Sequence, residues 1–209
     1  MSSTKMIRVI AYIDGFNLYF GLKSKAWNRY FWLDIKKLCM KLLKSDQHLI
    51  QTKYFTSLIP EPSQKKKRQD TYLAALETLE DFEIIKGRYQ LDNFTCPMCR
   101  DTFKIPHEKK TDVNIATEFI FDSFDNAFDI AMIISADSDL VPPIMKVKEY
   151  FPEKRLLIVF PPNRSSFELS NIGVPVIKTI RKSIIKNSQL PEEIDTKSGY
   201  KLARPKEWT

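Results

Sequence analysis

Short apolar runs alternate along the chain with segments in which apolar residues have helical spacing. The predicted strands are, in chain order, residues 6–13, 49–59, 83–91, 130–134, 155–160 and 174–180, and the third of them is either a strand or one arm of a hairpin. The predicted helices begin at or near residues 18, 35, 63, 113, 141 and 167. This alternation predicts an α/β fold in which helices cover both sides of a parallel sheet.

The run from Ile130 to Ile134 is the most informative of these strands. All five residues are apolar, which is typical of a strand buried on both faces in a parallel sheet. Ser135 ends the run, and Asp137 and Asp139 follow it. Ligands of open α/β sheets bind beyond the carboxyl ends of the strands, so these two carboxylates lie where chemistry is expected. Alternatively, Ser135, Asp137 and Ser138 could simply cap the next helix, because all three are good N-cap residues.

The first predicted strand also ends on a carboxylate, Asp14. Gly15 allows a tight backbone turn after it, and Asn17 is expected to cap a helix that begins at Leu18. Asp14 is therefore expected at the same edge of the sheet as the two acids that follow residues 130–134.

A fourth carboxylate, Asp112, precedes the predicted helix from Val113 to Asp122. Thr111 is the expected N-cap, which places Asp112 in the first turn. The helix dipole stabilises a carboxylate there, so capping alone could explain it. A first-turn position also directs the side chain towards the strand-end crevice, and the two interpretations are compatible.

Carboxylates from separate segments that share one edge of a sheet imply a cation. They repel each other strongly unless a positive charge neutralises them. Oxygen ligands favour Mg²⁺ or Mn²⁺ over zinc, and one or two such ions can activate a water molecule and stabilise the leaving oxygen of a phosphodiester. The predicted ligands and catalytic residues are Asp14, Asp112, Asp137 and Asp139.

The formal net charge of +7 favours a polyanionic partner. One basic run opens the predicted helix at residue 63, where cations are mildly unfavourable to the helix dipole. That cost fits a role in contacting phosphate, although such a run can also be an ordinary solvated surface. The run consists of Lys65, Lys66, Lys67 and Arg68.

The cysteine content and hydropathy indicate the compartment. Three cysteines argue against a disulfide framework and agree with a reducing cytosol. Cys39 lies on the apolar face of the helix predicted at residues 35–44 and is expected in the core. The start of the sequence lacks a signal-peptide pattern, and no apolar run approaches the roughly 20 residues that span a bilayer. We therefore expect a soluble, cytoplasmic protein with no membrane partner.

Cys96 and Cys99 frame a turn that resembles half of a zinc site. A structural zinc ion needs four ligands, and these two cysteines with His107 supply three. Glu108 or a second subunit could complete the set. Otherwise the cysteines are free thiols on a loop.

The segments 13–17 (Ile-Asp-Gly-Phe-Asn), 108–113 (Glu-Lys-Lys-Thr-Asp-Val) and 135–140 (Ser-Ala-Asp-Ser-Asp-Leu) resemble the three signatures of the NYN domain. This domain is a branch of the PIN-like ribonuclease superfamily that includes the LabA-like bacterial proteins. The resemblance runs from about Met6 to Ile180 in the same order, and the cysteine turn and the Pro-Trp ending also resemble LabA-like members. It implies a Rossmann-like three-layer α/β/α fold with a mainly parallel sheet, a Mg²⁺ or Mn²⁺ site and cleavage of RNA, expected to be single-stranded.

Carried over residue by residue, the resemblance makes Asp14, Asp112 and Asp137 metal ligands and Asp139 a ligand or an orienter of the metal-bound water. Asn17 and Ser135 would hydrogen-bond a ligand or the scissile phosphate. The residues expected to contact RNA are Lys109, Lys110, Arg164 and the basic run at 65–68. Neither histidine is placed to act as a general base, which favours a metal-activated water as the nucleophile.

Several alternatives stay open at this point. The same fold could serve as a catalytically silent RNA-binding or regulatory module, and a homodimer is compatible with the sequence. Phe16, Tyr19 and Phe20 could stack on bases or pack in the core. The nuclease domain is predicted to cover residues 1–182, with a cysteine-containing insertion at 91–108. Residues 183–209 form an extension expected to pack back on it through Ile194, Leu202 and Trp208.

Overall fold

The computed structural model describes residues 6–59, 63–196 and 199–209, and it describes residues 89–92 and 104–108 by their backbone alone. The strands of these ranges are β1 (Ile7–Asp14), β2 (Gln47–Thr56), β3 (Phe82–Lys86), β4 (Arg88–Thr95), β5 (Thr102–Lys109), β6 (Ile130–Ile134), β7 (Arg155–Val159), β8 (Val176–Ile177), β9 (Glu193–Asp195) and β10 (Lys201–Ala203). The α-helices are α1 (Gly15–Ser24), α2 (Ile35–Met40), α3 (Gln64–Leu76), α4 (Thr111–Phe124), α5 (Val141–Tyr150), α6 (Phe167–Asn171) and α7 (Lys182–Lys186).

A six-stranded sheet in the order β3-β2-β1-β6-β7-β8 forms the centre of the molecule. Each neighbouring pair in it is parallel, which confirms the predicted fold class. The register pairs Ile13 of β1 with Ile134 of β6, so these two strands end side by side. Asp14 and Ser135 are the next residues along their chains and therefore lie next to each other at the carboxyl edge.

Two hydrophobic cores cover the two faces of the sheet. One contains buried residues of α1, α2 and α3, and the other contains buried residues of α4, α5 and α6. Side chains alternate between the faces of a strand, and in β1 Val9 and Ile13 belong to the first core while Ile10 and Tyr12 belong to the second. The central strand β6 is buried along its whole length, as its apolar sequence predicts.

The segment after residue 182 contacts the first core. Ile194, Leu202 and Trp208 are partly buried against it. The Trp208 ring lies edge-on to the rings of Phe31 and Tyr72, with centroid distances of 5.7 and 5.9 Å. A domain boundary at residue 182 remains a prediction, since this packing alone does not define one.

Two elements differ from the sequence prediction. The segment 83–91, expected as a strand or a hairpin arm, is two strands separated by Gly87: β3 belongs to the main sheet, and β4 is one arm of an antiparallel hairpin with β5. The partner strand β5 was not predicted, because its mixed polar sequence contains no apolar run. The strand expected at 174–180 is reduced to β8, which occupies the sheet edge.

Candidate metal centre

Three carboxylates from separate segments converge at the carboxyl edge of the sheet. Asp14 ends β1, Asp112 lies in the first turn of α4, and Asp137 follows β6. One ligand atom of each lies within 4.8 Å of the others. The structure thus brings together three of the four aspartates that the sequence analysis selected.

Asp14 is held by two hydrogen bonds. Its Oδ1 accepts from the backbone N–H of Asn17 at 2.9 Å, and its Oδ2 accepts from the Ser135 hydroxyl at 2.9 Å. Asp14 is therefore the N-cap of α1, and the expectation that Asn17 caps this helix was wrong. The helix starts at Gly15, which places Asn17 inside its first turn, where the Asn17 side chain accepts from the N–H of Ala136 at 3.2 Å.

Ser135 connects Asp14 with Asp137. Its side chain is buried, and its Oγ donates to Asp14 and accepts from the backbone N–H of Asp137 at 3.0 Å. A hydroxyl can act as donor and acceptor together. Ser135 therefore connects the Asp14 carboxylate with the backbone of Asp137.

Asp137 has a capping role in addition to its place in the acidic group. Its Oδ1 accepts from the N–H of Asp139 at 3.0 Å and so caps the 3-10 helix Ser138–Leu140. The capping interpretation of this segment and the ligand interpretation thus both apply. Asp139 is exposed and lies outside the three-carboxylate group found among the described residues.

The helix that carries Asp112 begins differently from the prediction. Thr111 was expected to cap α4, but it is the first helical residue and is buried. The residue before it, Lys110, has a left-handed backbone (φ 82°) and makes no capping hydrogen bond through its side chain. The Thr111 hydroxyl lies 3.4 Å from that of Ser57, at the base of the hairpin.

The electrostatics of the group favour a bound cation. Burial raises the pKa of Asp14 to about 6, and the nearby charges of Asp112 and Asp137 raise it too, whereas the hydrogen bonds from Asn17 and Ser135 lower it. Burial and the charges of Asp137 and Asp139 also raise the pKa of Asp112. A cation would reverse these effects, and a ligand set made only of carboxylate oxygens fits Mg²⁺ or Mn²⁺.

The predicted RNA-contacting cations occupy several places around the molecule. Lys65, Lys67, Lys109, Lys110 and Arg164 are exposed. Lys66 pairs with Asp70 at 2.6 Å, and Arg68 pairs with Glu207 at 2.8 Å.

The cysteine turn lies between β4 and β5. The Cys96 sulfur accepts hydrogen bonds from the backbone N–H groups of Cys99 and Met98, and these lower the pKa of its thiol. Cys99 is exposed. The side chains of His107 and Glu108, the other suggested zinc ligands, lie outside the described residues. Cys39 is buried in the core, as its helical position predicts.

A cavity of about 320 Å³ beside the acidic group was not predicted from the sequence. Six aromatic residues line it, and they come from five segments of the chain: Phe16, Tyr19, Phe31, Tyr54, Tyr72 and Trp208. In the structure Tyr19 and Phe20 are 36% and 42% exposed, and the Tyr19 ring lies 4.8 Å from that of Phe31.

The fold and the site define an α/β protein with a carboxylate cluster at the carboxyl edge of a parallel sheet. The sequence model of the NYN domain matches residues 8–172, and the chain belongs to the NYN domain family. Family membership is consistent with a PIN-like nuclease fold and with a divalent metal at the aspartates. Among the helices that the structure describes, none has the length and apolar character needed to cross a membrane.

Two known proteins are similar to this chain. The Pseudomonas putida protein named 6-hydroxy-3-succinoylpyridine 3-monooxygenase HspA is 28% identical, over 74% of this chain. The match spans only 60% of that relative's length. The crystal structure of a Vibrio parahaemolyticus protein of unknown function matches with a TM-score of 0.55 at 16% identity, covering 87% of this chain and 98% of that one. This second likeness supports the fold.

Proposed function

We propose that the protein is a metal-dependent ribonuclease that cleaves phosphodiester bonds of single-stranded RNA. The observation that carries the proposal is the group formed by Asp14, Asp112 and Asp137 at the edge of a sheet in an NYN domain. The net charge of +7 on a chain with such an acidic site supports a polyanionic substrate. We assign the chain to the LabA-like branch and to the cytoplasm as part of the same proposal.

The three carboxylates would hold Mg²⁺ or Mn²⁺. Such an ion, when bound, supplies a water nucleophile at neutral pH and neutralises negative charge on the phosphodiester. Ser135 would hold the Asp14 carboxylate close to the backbone of Asp137, so that both aspartates can serve as ligands. Asp139, exposed next to the group, would orient the attacking water.

The remaining polar residues would position the RNA. Asn17 lies beside the N–H of Ala136 at the strand ends, and with Ser135 it would hydrogen-bond the scissile phosphate. Backbone phosphates of the substrate would meet Lys109 and Lys110 next to Asp112, together with Arg164 and the basic run at 65–68. Contacts of this kind position a nucleic acid without reading its sequence.

Cleavage of a labelled unstructured RNA in Mn²⁺, Mg²⁺ or EDTA tests the proposal. The wild type should cut only with metal, and Asp112→Asn should abolish cutting while the fold is retained. Asp125→Asn is a matched control, because it makes the same change at the opposite, exposed end of α4. Full cleavage by Asp112→Asn would refute the proposal.

A catalytically silent RNA-binding module is the second candidate. It is favoured by the net charge of +7 and by exposed cations such as Lys109 and Lys110, which can bind RNA whether or not it is cut. Such a module would bind RNA with a steep dependence on salt concentration and would show no metal-dependent cleavage. Tight binding without cutting across several RNAs would select this candidate.

We also propose that Cys96 and Cys99 are two ligands of a structural zinc ion. Their support is the pair of backbone N–H groups that donate to the Cys96 sulfur and so stabilise its thiolate. His107 would be the third ligand, and Glu108 or a residue of a second copy in a homodimer would be the fourth.

A further inference from the structure

The aromatic cavity lies at the same edge of the sheet as the acidic group. Gly15 and Phe16 line it, and Asp14 immediately precedes them in the chain. Consecutive Cα atoms lie about 3.8 Å apart, so the cavity wall and the carboxylate group share one stretch of backbone. Thr56, at the end of β2, also lines the cavity, which places it at the same carboxyl edge of the sheet.

The lining combines flat apolar surfaces with positive charge. Besides its aromatic rings, the cavity is lined by three cations, Lys23, Lys65 and Arg68. The single carboxylate of the lining, Glu207, is paired with Arg68 at 2.8 Å. A ligand that fits this lining has a flat apolar part and a negative charge.

The aromatic surface continues from the cavity along α1. The Phe16 ring is stacked against that of Phe20, with centroids 6.1 Å apart and an angle of 27° between the planes. Lys23 and Arg164 lie 5.9 and 6.0 Å from the centre of the Phe20 ring. Aromatic side chains and cations therefore alternate along the protein surface, starting next to Asp14.

We propose that this cavity binds one base of the RNA whose scissile phosphate lies at the carboxylate group. The inference rests on the proposed function and names the subsite that would hold the substrate. Every nucleobase offers a flat face on which an aromatic ring can stack, and the rim cations would contact the adjoining phosphates. A volume of about 320 Å³ lies within the usual range of ligand cavities.

Asn28 and Thr56 supply hydrogen-bonding groups for the edge of the base. A third polar residue of the lining, Gln69, is already engaged, since its side chain donates to the Ser57 carbonyl and accepts from the N–H of Ile59. We therefore expect stacking to contribute more to the binding free energy than hydrogen bonds to the edge of the base. The cavity should accept more than one base.

Binding of adenosine 5′-monophosphate, measured by calorimetry in EDTA, tests the cavity without any catalytic turnover. Ribose 5-phosphate has the same phosphate and sugar without the base, and we expect it to bind at least tenfold more weakly. Tyr19→Ala should weaken nucleotide binding by roughly 5- to 100-fold, the usual effect of removing a stacking ring. Tyr19→Phe keeps the ring and should bind like the wild type.

Tyr150→Ala is the matched control, because Tyr150 is exposed on α5 and does not line the cavity. It should leave nucleotide affinity unchanged. Equal affinity for the nucleotide and ribose 5-phosphate, or an unchanged affinity in Tyr19→Ala, would overturn the proposal. Tighter binding of a simple pyridine carboxylate than of the nucleotide would overturn it as well.

The two proposals fail in distinguishable ways. If the wild type cleaves RNA while Tyr19→Ala binds the nucleotide normally, the cavity proposal is wrong and the nuclease proposal stands. If the nucleotide binds in a Tyr19-dependent way and no RNA is cut, the base site stands and the nuclease proposal is wrong.

Discussion

The hydroxyl of Ser135 donates a 2.9 Å hydrogen bond to Oδ2 of Asp14 and thereby joins the ends of the two neighbouring strands β6 and β1. The same oxygen accepts from the N–H of Asp137. Ser135→Ala removes both bonds, and we expect Mn²⁺ affinity to fall about 10- to 100-fold, as is usual when a group that orients a metal ligand is lost. Titration with Mn²⁺, followed by calorimetry, measures the change.

Ser188→Ala is the control for this substitution. Ser188 is also buried, and its hydroxyl has no hydrogen-bond partner in the part of the chain that the structure describes. It should bind Mn²⁺ like the wild type. Equal losses of affinity in both variants would show that the role assigned to Ser135 is wrong.

Metal binding should stabilise the fold through Asp112. The clustered carboxylates repel one another, so Asp112→Asn should raise the melting temperature in EDTA. Mn²⁺ at 100 times its dissociation constant should stabilise the wild type by about 2.7 kcal/mol, and Asp112→Asn should lose most of this gain. Thermal unfolding with and without Mn²⁺ checks both effects, and an unchanged gain in Asp112→Asn would contradict them.

Lys53 forms a polar network with two carboxylates and a tyrosine. We expect this network to contribute to the stability of the fold and not to catalysis. Its buried Nζ lies 2.7 Å from Glu118 and 2.8 Å from Asp122, and the Tyr12 hydroxyl donates to Asp122 at 2.6 Å. Lys53→Met leaves these carboxylates without their cation, at a cost of about 1–3 kcal/mol because both are partly exposed. Urea unfolding measures this loss.

An exposed ion pair provides the comparison for Lys53. Lys146 pairs with Glu149 at 2.9 Å on the surface of α5, and both side chains are largely exposed. Solvent screens such a pair, so Lys146→Met should leave the free energy of unfolding unchanged within error. A loss equal to that of Lys53→Met would argue against a special role for the buried network.

Zinc content tests the cysteine turn. Elemental analysis of protein purified without chelators should find zinc in the wild type and none in Cys99→Ser, because removal of one thiolate destroys the site. Cys39→Ala should retain zinc, since Cys39 lies in the core. Zinc held by a monomer would indicate Glu108 as the fourth ligand, and zinc held only by a dimer would indicate a ligand from a second copy. A zinc-free wild type would refute the site.

The sequence predicted the acidic edge better than its surroundings. Parallel strands that end together bring their next residues into contact, so Asp14 and the segment 135–137 could be placed from apolar runs alone. The caps were misplaced by a few residues because several good capping residues stand side by side, at Asp14 and Asn17 for example. Local pattern does not decide which of them the helix uses.

The aromatic cavity could not be predicted from the sequence, for a different reason. Its wall joins Phe16 and Tyr72 to Trp208, residues far apart in the chain whose meeting depends on how the last segment packs. The second strand of the hairpin, β5, was not predicted, because it pairs with β4 and its described side chains, at residues 102, 103 and 109, are exposed. The periodicity of apolar residues in a sequence shows which side chains are buried. Elements that are held together mainly by backbone hydrogen bonds show little of this periodicity.

Gly15 limits how far this protein can be changed by mutagenesis near the acidic group. A Cβ atom at this position would lie 2.6 Å from Cζ of Tyr54 and 2.7 Å from the carbonyl oxygen of Phe55. In a saturation library at residue 15, the starting amino acid should be nearly the sole survivor of selection. New specificities would have to be sought at Tyr19 and Asn28, where the side chains line the cavity and reach solvent.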